Sequence, residues 1–208
     1  MAEKLKQIFK GKKKWLWMIG ICLTLAAVVA VCCFGFLPMG SDTPTLVVET
    51  PQKLSASQTE ECTLDVTISK LGETRYPAMS MSISFDASRL EFLGVEEGNI
   101  FILSDENSTG QQLPDWSCNV QSSNDTGLIN IMYLDMTGGR NAFTKDLLAD
   151  DYNVVLRLKF RLRGSVRPGD VLDLIVEDAV FAASDETQSL AMNRDTLKIK
   201  NGRLVIGE

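Results

Sequence analysis

Between residues 78 and 85 the chain alternates strictly. Met79, Met81, Ile83 and Phe85 are separated by Ser80, Ser82 and Ser84. Period-two alternation puts one type of side chain on each face of a β-strand, so the stretch predicts a strand with an apolar inner face and a serine outer face. Asp86-Ala87-Ser88 reads as a turn, and a second strand begins at Leu90. The same pattern recurs along the chain. Residues 45–49 predict a first strand. Residues 62–68 set Cys62, Leu64, Val66 and Ile68 on one face. Residues 154–162 set Leu156, Leu158 and Phe160 against Arg157, Lys159 and Arg161. Residues 171–177 set Leu172, Leu174 and Val176 against Asp173, Ile175 and Glu177. Residues 116–120 and 127–134 predict two more strands. Near the end, Asn201-Gly202 between two extended runs predicts a hairpin.

Nine or ten short strands with turn residues between them, and no helical period after residue 44, predict an all-β sandwich or jelly roll. Within 127–134, Ile129, Ile131 and Tyr133 share the inner face, so Asn130, Met132 and Leu134 point outward. Beside a serine-faced strand they would form an apolar patch with a polar margin, the make-up of a protein-binding face. Cover by a long loop is the alternative, and the sequence leaves both open.

The N-terminal pattern is different. Six lysines and one glutamate occupy residues 1–14, a net +5, which leaves −11 of the total −6 for the remainder. Residues 15–37 carry no charge. As a helix rising about 1.5 Å per residue the run spans about 34 Å, enough to cross a bilayer. The expected organisation is therefore a basic cytoplasmic segment (1–14), a single transmembrane helix (15–37), a linker (38–44) and an extracytoplasmic β-domain (45–207). A cleaved signal peptide fits less well, because the apolar run is long and Phe34-Gly35-Phe36-Leu37 is a poor cleavage site. The acidic outer domain disfavours nucleic acid as a partner.

The chain has no histidine, which removes Ser-His and Cys-His catalysis. The adjacent carboxylates Glu96-Glu97 and Asp150-Asp151 have no glycosidase geometry and read as surface charge. Asp105, Asn107, Asn124 and Asp125 lack a calcium-loop spacing and read as turn formers, so no metal site and no cofactor is expected. Asn107-Ser108-Thr109 and Asn124-Asp125-Thr126 fit the N-glycosylation pattern. Trp116 and Tyr76 are the candidate stacking rings if the sandwich binds carbohydrate. Cys62 and Cys118 are candidates for one disulfide in an exported domain.

Residues 45–207 resemble a cohesin domain, the module that holds dockerin-bearing enzymes in cellulosomes. The resemblance rests on Val47-Val48, on Phe85-Asp86-Ala87-Ser88-Arg89-Leu90-Glu91-Phe92 beside the family's Tyr-Asp-Pro-x-x-Leu-Glu, and on Val95-Glu96-Glu97-Gly98. It continues through residues 129–136 before a Gly-rich loop, residues 155–160, and the closing Asn201–Gly207 run. Phe85 and Ala87 replace the family's Tyr and Pro, and Ser80 stands where an acid or amide is frequent. The resemblance implies an all-β, nine-stranded jelly-roll β-sandwich, and a non-catalytic module that binds dockerin on one flat sheet face. It implies contact positions at Ala78, Ser80 and Ser82, at Met132, Asp135 and Gly138, and at Glu186 and Gln188. It also implies that any calcium requirement belongs to the dockerin partner. Two other readings stay open: a carbohydrate-binding module of the same fold, and a structural surface subunit or adhesin.

Overall fold

Alternating strands can bury their apolar faces only against one another, and a computed structural model shows how this chain does so. The structure describes residues 43–50, 53–55, 61–100, 116–139, 141–148, 151–184 and 191–207. The expected basic segment and transmembrane helix lie outside the described residues. Among the described residues, no helix is long and apolar enough to cross a membrane.

The described strands number eleven, against the nine expected: β1 (Thr45–Val48), β2 (Leu54–Ser55), β3 (Glu61–Ser69), β4 (Ala78–Ser84), β5 (Leu90–Glu97), β6 (Ser117–Cys118), β7 (Leu128–Leu134), β8 (Val154–Leu162), β9 (Val171–Ala182), β10 (Lys198–Lys200) and β11 (Gly202–Gly207). The surplus comes from very short strands such as β2 and β6. One sheet has five strands in the order β10-β1-β3-β8-β5; the other has six, β2-β11-β9-β4-β7-β6. Most pairings are antiparallel, and only β1–β10 and β2–β11 are parallel.

The inner faces are the ones the alternation predicts. Leu64, Val66 and Ile68 of β3, Met79, Met81 and Ile83 of β4, Ile129, Ile131 and Tyr133 of β7, and Leu156, Leu158 and Phe160 of β8 are all buried. Each large apolar side chain buried in this way contributes about 1.5–3 kcal/mol. Aromatic rings pack at two places in the core. Phe85, Phe92 and Phe160 contact one another, with both Phe85 and Phe92 centred 5.5 Å from Phe160. Elsewhere Tyr76, Trp116, Tyr133, Phe143 and Phe181 form a second group.

Three expectations are corrected. First, residues 116–120 are not one strand: only Ser117–Cys118 is extended, and a two-turn helix, α1 (Val120–Thr126), follows. Its start is set by Asn119, whose side chain accepts from Ser122 N at 2.9 Å, and its end by Gly127 in the left-handed conformation at φ 70°.

Second, Asn201-Gly202 is not a hairpin turn. β10 pairs with β1 in the five-stranded sheet, whereas β11 pairs with β9 in the six-stranded one, so the dipeptide is where the chain changes sheets. Gly202 permits the change because its backbone lies against β1: a Cβ there would stand 2.5 Å from Val48 Cγ1. Asn201 Oδ1 accepts from Val176 N at 3.0 Å and ties the crossing to β9.

Third, no disulfide joins Cys62 and Cys118. They belong to different sheets, Cys62 buried on β3 and Cys118 on the edge strand β6. Burial pushes the Cys62 thiol above its ordinary pKa, keeping it protonated.

Candidate functional site

The two outer faces of the sandwich differ in chemistry. On the five-stranded sheet the outer residues of β8 are Arg157, Lys159 and Arg161, and acids on the neighbouring strands pair with each. Lys159 Nζ lies 3.0 Å from both Glu61 and Glu96; Arg157 lies 3.1 Å from Asp65; Arg161 lies 3.3 Å from Glu61 and 3.5 Å from Glu91. Hydrogen bonds from Lys159 to Glu96 and Glu61 raise the lysine pKa, and the bond from Lys159 lowers that of Glu61. Cross-strand pairs of this kind keep a surface solvated and satisfied.

The outer face of the six-stranded sheet has small residues and exposed apolar ones. The β4–β7 ladder sets Ala78 opposite Leu134, Ser80 opposite Met132, and Ser82 opposite Asn130. On the far side of β4, β9 places Ala182, Val180 and Asp178 opposite the same three residues. Met132 also faces Ser117 of β6. Hemmed by small side chains, Met132 and Leu134 stand clear of the sheet, 64% and 60% exposed, and Met136 beyond them is 83% exposed. The polar groups further along this face are paired among themselves. Ser82 donates to Asn130 Oδ1 at 2.7 Å, and Ser84 donates to Glu177 Oε1 at 2.6 Å. Glu177 is the extra residue of a β-bulge, where β9 shifts register against Ser82 and Ile83.

The loop after β7 is fixed from within. Asp135 accepts from Thr137 N at 2.7 Å and Thr137 Oγ1 at 2.5 Å through Oδ1, and from Gly139 N at 2.7 Å through Oδ2. Gly138 and Gly139 have φ of 76° and 94°, which suits glycine. Beneath the loop, the Tyr133 hydroxyl donates to the Asn141 carbonyl at 2.7 Å. Burial, and then the charges of Asp135 and Glu97, push the Tyr133 pKa far above its ordinary range, so the hydroxyl stays a donor.

The structure thus brings Ala78, Ser80, Ser82 and Met132 onto one face, with Gly138 exposed on the adjoining loop. Asp135 adjoins the face, but its carboxylate serves the loop. Glu186 and Gln188 lie outside the described residues. Two exposed apolar residues, Leu134 of the face and Met136 just past the end of β7, were not among the positions the resemblance implied; β7 alternation already marked Leu134 as outward.

The candidate carbohydrate platform does not form. Tyr76 is 5% exposed and meets Phe181 edge-on, and Trp116 lies against Tyr133 with ring centres 5.0 Å apart. The second glycosylation pattern is also engaged: Asn124 bonds to the backbone of Phe92. Among the described residues no group of three or more His, Cys, Asp or Glu side chains could hold a metal ion.

Comparison with known proteins agrees with this architecture. The family model described as "Cohesin domain" matches residues 47–197. No curated protein sequence matches the chain. Among solved structures, the third cohesin of ScaC from Acetivibrio cellulolyticus, in complex with the ScaB dockerin, is 11% identical; the match covers 79% of this chain and 99% of that one, with a TM-score of 0.56. The cohesin of OlpA in its complex with Doc918, from Clostridium thermocellum, is 17% identical over 79% and 99% of the two chains, with a TM-score of 0.54. A type III cohesin of the cell-surface anchoring scaffoldin ScaE from Ruminococcus flavefaciens is 16% identical over 83% and 93%, with a TM-score of 0.50. At these identities the likeness is one of fold.

Proposed function

The chain belongs to the cohesin family, and from that premise we propose that the outer face of its six-stranded sheet captures a dockerin module. One observation carries the reading: Met132, Leu134 and Met136 are exposed at alternate positions, the first two beside the small residues Ser80, Ser117 and Ala78. An apolar centre with a polar margin is what a partner helix needs in order to dock by desolvation. The action is non-catalytic. A rigid face, held by the β4–β7 ladder and the Asp135 loop, retains its partner without changing it. The favoured partner is a dockerin borne by a polysaccharide-degrading enzyme, in keeping with solved relatives that are themselves cohesin–dockerin complexes. Calcium enters through the dockerin.

We also propose that residues 15–37 span the membrane, with the lysines of residues 1–14 inside and the β-domain outside. The captured enzyme would then be held at the cell surface.

The test is binding of the full chain to purified dockerin-bearing proteins encoded in the same genome, with calcium and with a chelator. Calcium-dependent binding to at least one is expected; binding to none overturns the docking reading. Fractionation tests the tether separately. The chain should stay with membranes after alkaline carbonate extraction, and its release would overturn the membrane assignment.

A further inference from the structure

We propose that Met132 and Met136 form an oxidation-sensitive pair that decides whether the docking face can hold its partner; this rests on the docking reading above. The five methionines among the described residues fall into two sets. Met79, Met81 and Met192 are sealed in the core at 3%, 2% and 2% exposure. Met132 and Met136 are 64% and 83% exposed; Met132 is on the outer face of β7, and Met136 is two residues past that strand's end. Methionine oxidation follows access to the thioether, so a peroxide reaches this pair first.

Local structure strengthens the contrast. Met132 sits in a ladder between Ser80 and Ser117, whose side chains are too short to overhang its sulfur. Met136 follows Asp135, whose carboxylate fastens the loop on its other side, to Thr137 and Gly139. Both thioethers are therefore presented by fixed backbone.

The chemistry is a two-electron oxygen transfer. The sulfur lone pair attacks one oxygen of a hydroperoxide, the S–O bond forms, and the O–O bond breaks. The proton on the transferred oxygen passes to the remaining one, which leaves as water from hydrogen peroxide, or as an alcohol from an organic peroxide. Sulfur is oxidised and the peroxide reduced. A flexible apolar side chain becomes a polar one with a strong acceptor, and docking would bury that acceptor against an apolar contact. Burying it without a donor costs enough to weaken binding by about tenfold or more. A thiol-dependent sulfoxide reductase supplies two electrons, the oxygen leaves as water, and the thioether and the affinity are restored.

The experiment treats the full chain with graded hydrogen peroxide, maps oxidised methionines by peptide mass spectrometry, and measures the Kd for a cognate dockerin in calcium. Oxidation of Met132 and Met136 ahead of Met79, Met81 and Met192 is expected, with unchanged thermal unfolding and a Kd raised about tenfold or more. The double variant Met132→Leu/Met136→Leu should bind before treatment and keep its affinity afterwards. Treatment with a sulfoxide reductase should recover binding in the parent chain. Three results overturn the inference: unchanged affinity with both methionines oxidised, prior oxidation of the core methionines, or equal peroxide sensitivity in the double variant. A chain that binds no dockerin before treatment overturns the docking reading and this inference with it; a chain that binds equally before and after overturns this inference alone.

Discussion

Asn124 on α1 makes two hydrogen bonds to one residue of β5, accepting from Phe92 N at 2.8 Å and donating to Phe92 O at 2.8 Å. β5 is the last strand of its sheet, and its outward backbone groups would otherwise offer a template for another chain. The amide acts as one rung of a missing strand and binds the helix to the sheet edge. Asn124→Ala leaves both Phe92 groups without this partner. The expected loss of stability is about 1–3 kcal/mol, read from chemical denaturation. Unchanged stability would mean that water replaces the side chain at no cost. The same geometry bears on modification: a glycan on Asn124 could not coexist with these two bonds.

Met132→Asp places a charge in the middle of the apolar patch while leaving the β4–β7 ladder intact. Because the side chain is mostly exposed, unfolding free energy should change by no more than about 0.5 kcal/mol. Dockerin affinity should fall by at least about tenfold, since a partner would have to desolvate an unpaired carboxylate. Calorimetric titration beside a thermal melt separates the two quantities. Full affinity in a folded variant would move the docking surface elsewhere.

Gly202→Ala tests the sheet crossing. The added Cβ meets Val48 at 2.5 Å from Cγ1, 2.9 Å from Cβ and 3.1 Å from the carbonyl oxygen, so β1 or β11 must shift. Overpacking of this kind costs about 1–3 kcal/mol. Gly72→Ala is the control, because a Cβ added there would meet nothing within 4 Å. Equal stability of the two variants, in parallel denaturation curves, would show that the crossing gives way easily.

What the sequence disclosed follows from which interactions are local. The faces of β3, β4, β7, β8 and β9 were legible because period-two alternation is a property of each strand alone. Leu134 and Met132 could be placed on the outer face by the same rule. Helix α1 was not legible as a helix, since seven residues span two turns and show no usable period; its only local signals were Asn119 before it and Gly127 after it. Asn201-Gly202 was misleading because a hairpin and a sheet change share one dipeptide, and the choice is made by Val48, more than 150 residues earlier in the chain. Trp116 and Tyr76 looked available for stacking only while their partners Tyr133 and Phe181 were unknown. Asp135 shows a similar limit: the resemblance marked it for a partner, and the hydrogen bonds assign its oxygens to Thr137 and Gly139.

Tyr133 links core, loop and alkaline stability. Its hydroxyl donates to the Asn141 carbonyl, and burial is the main reason that its folded-state pKa is raised above the ordinary value of 10.0. A group whose folded pKa is raised contributes stability that is fully present below the unfolded pKa and is lost as pH climbs toward the folded one. The Tyr133 contribution should therefore be complete up to about pH 10 and be lost progressively above, because unfolding frees the phenol to ionise. Tyr133→Phe removes both the donor and the ionisation. At neutral pH it should cost about 1–2 kcal/mol, because the Asn141 carbonyl beneath the loop loses its donor. Above pH 10 the gap between the two proteins should narrow, since only the parent must hold a proton there against ionisation. Chemical denaturation of both proteins from pH 7 to pH 11 measures this, and a gap that stays constant or widens with pH would refute the assigned role of the buried phenol.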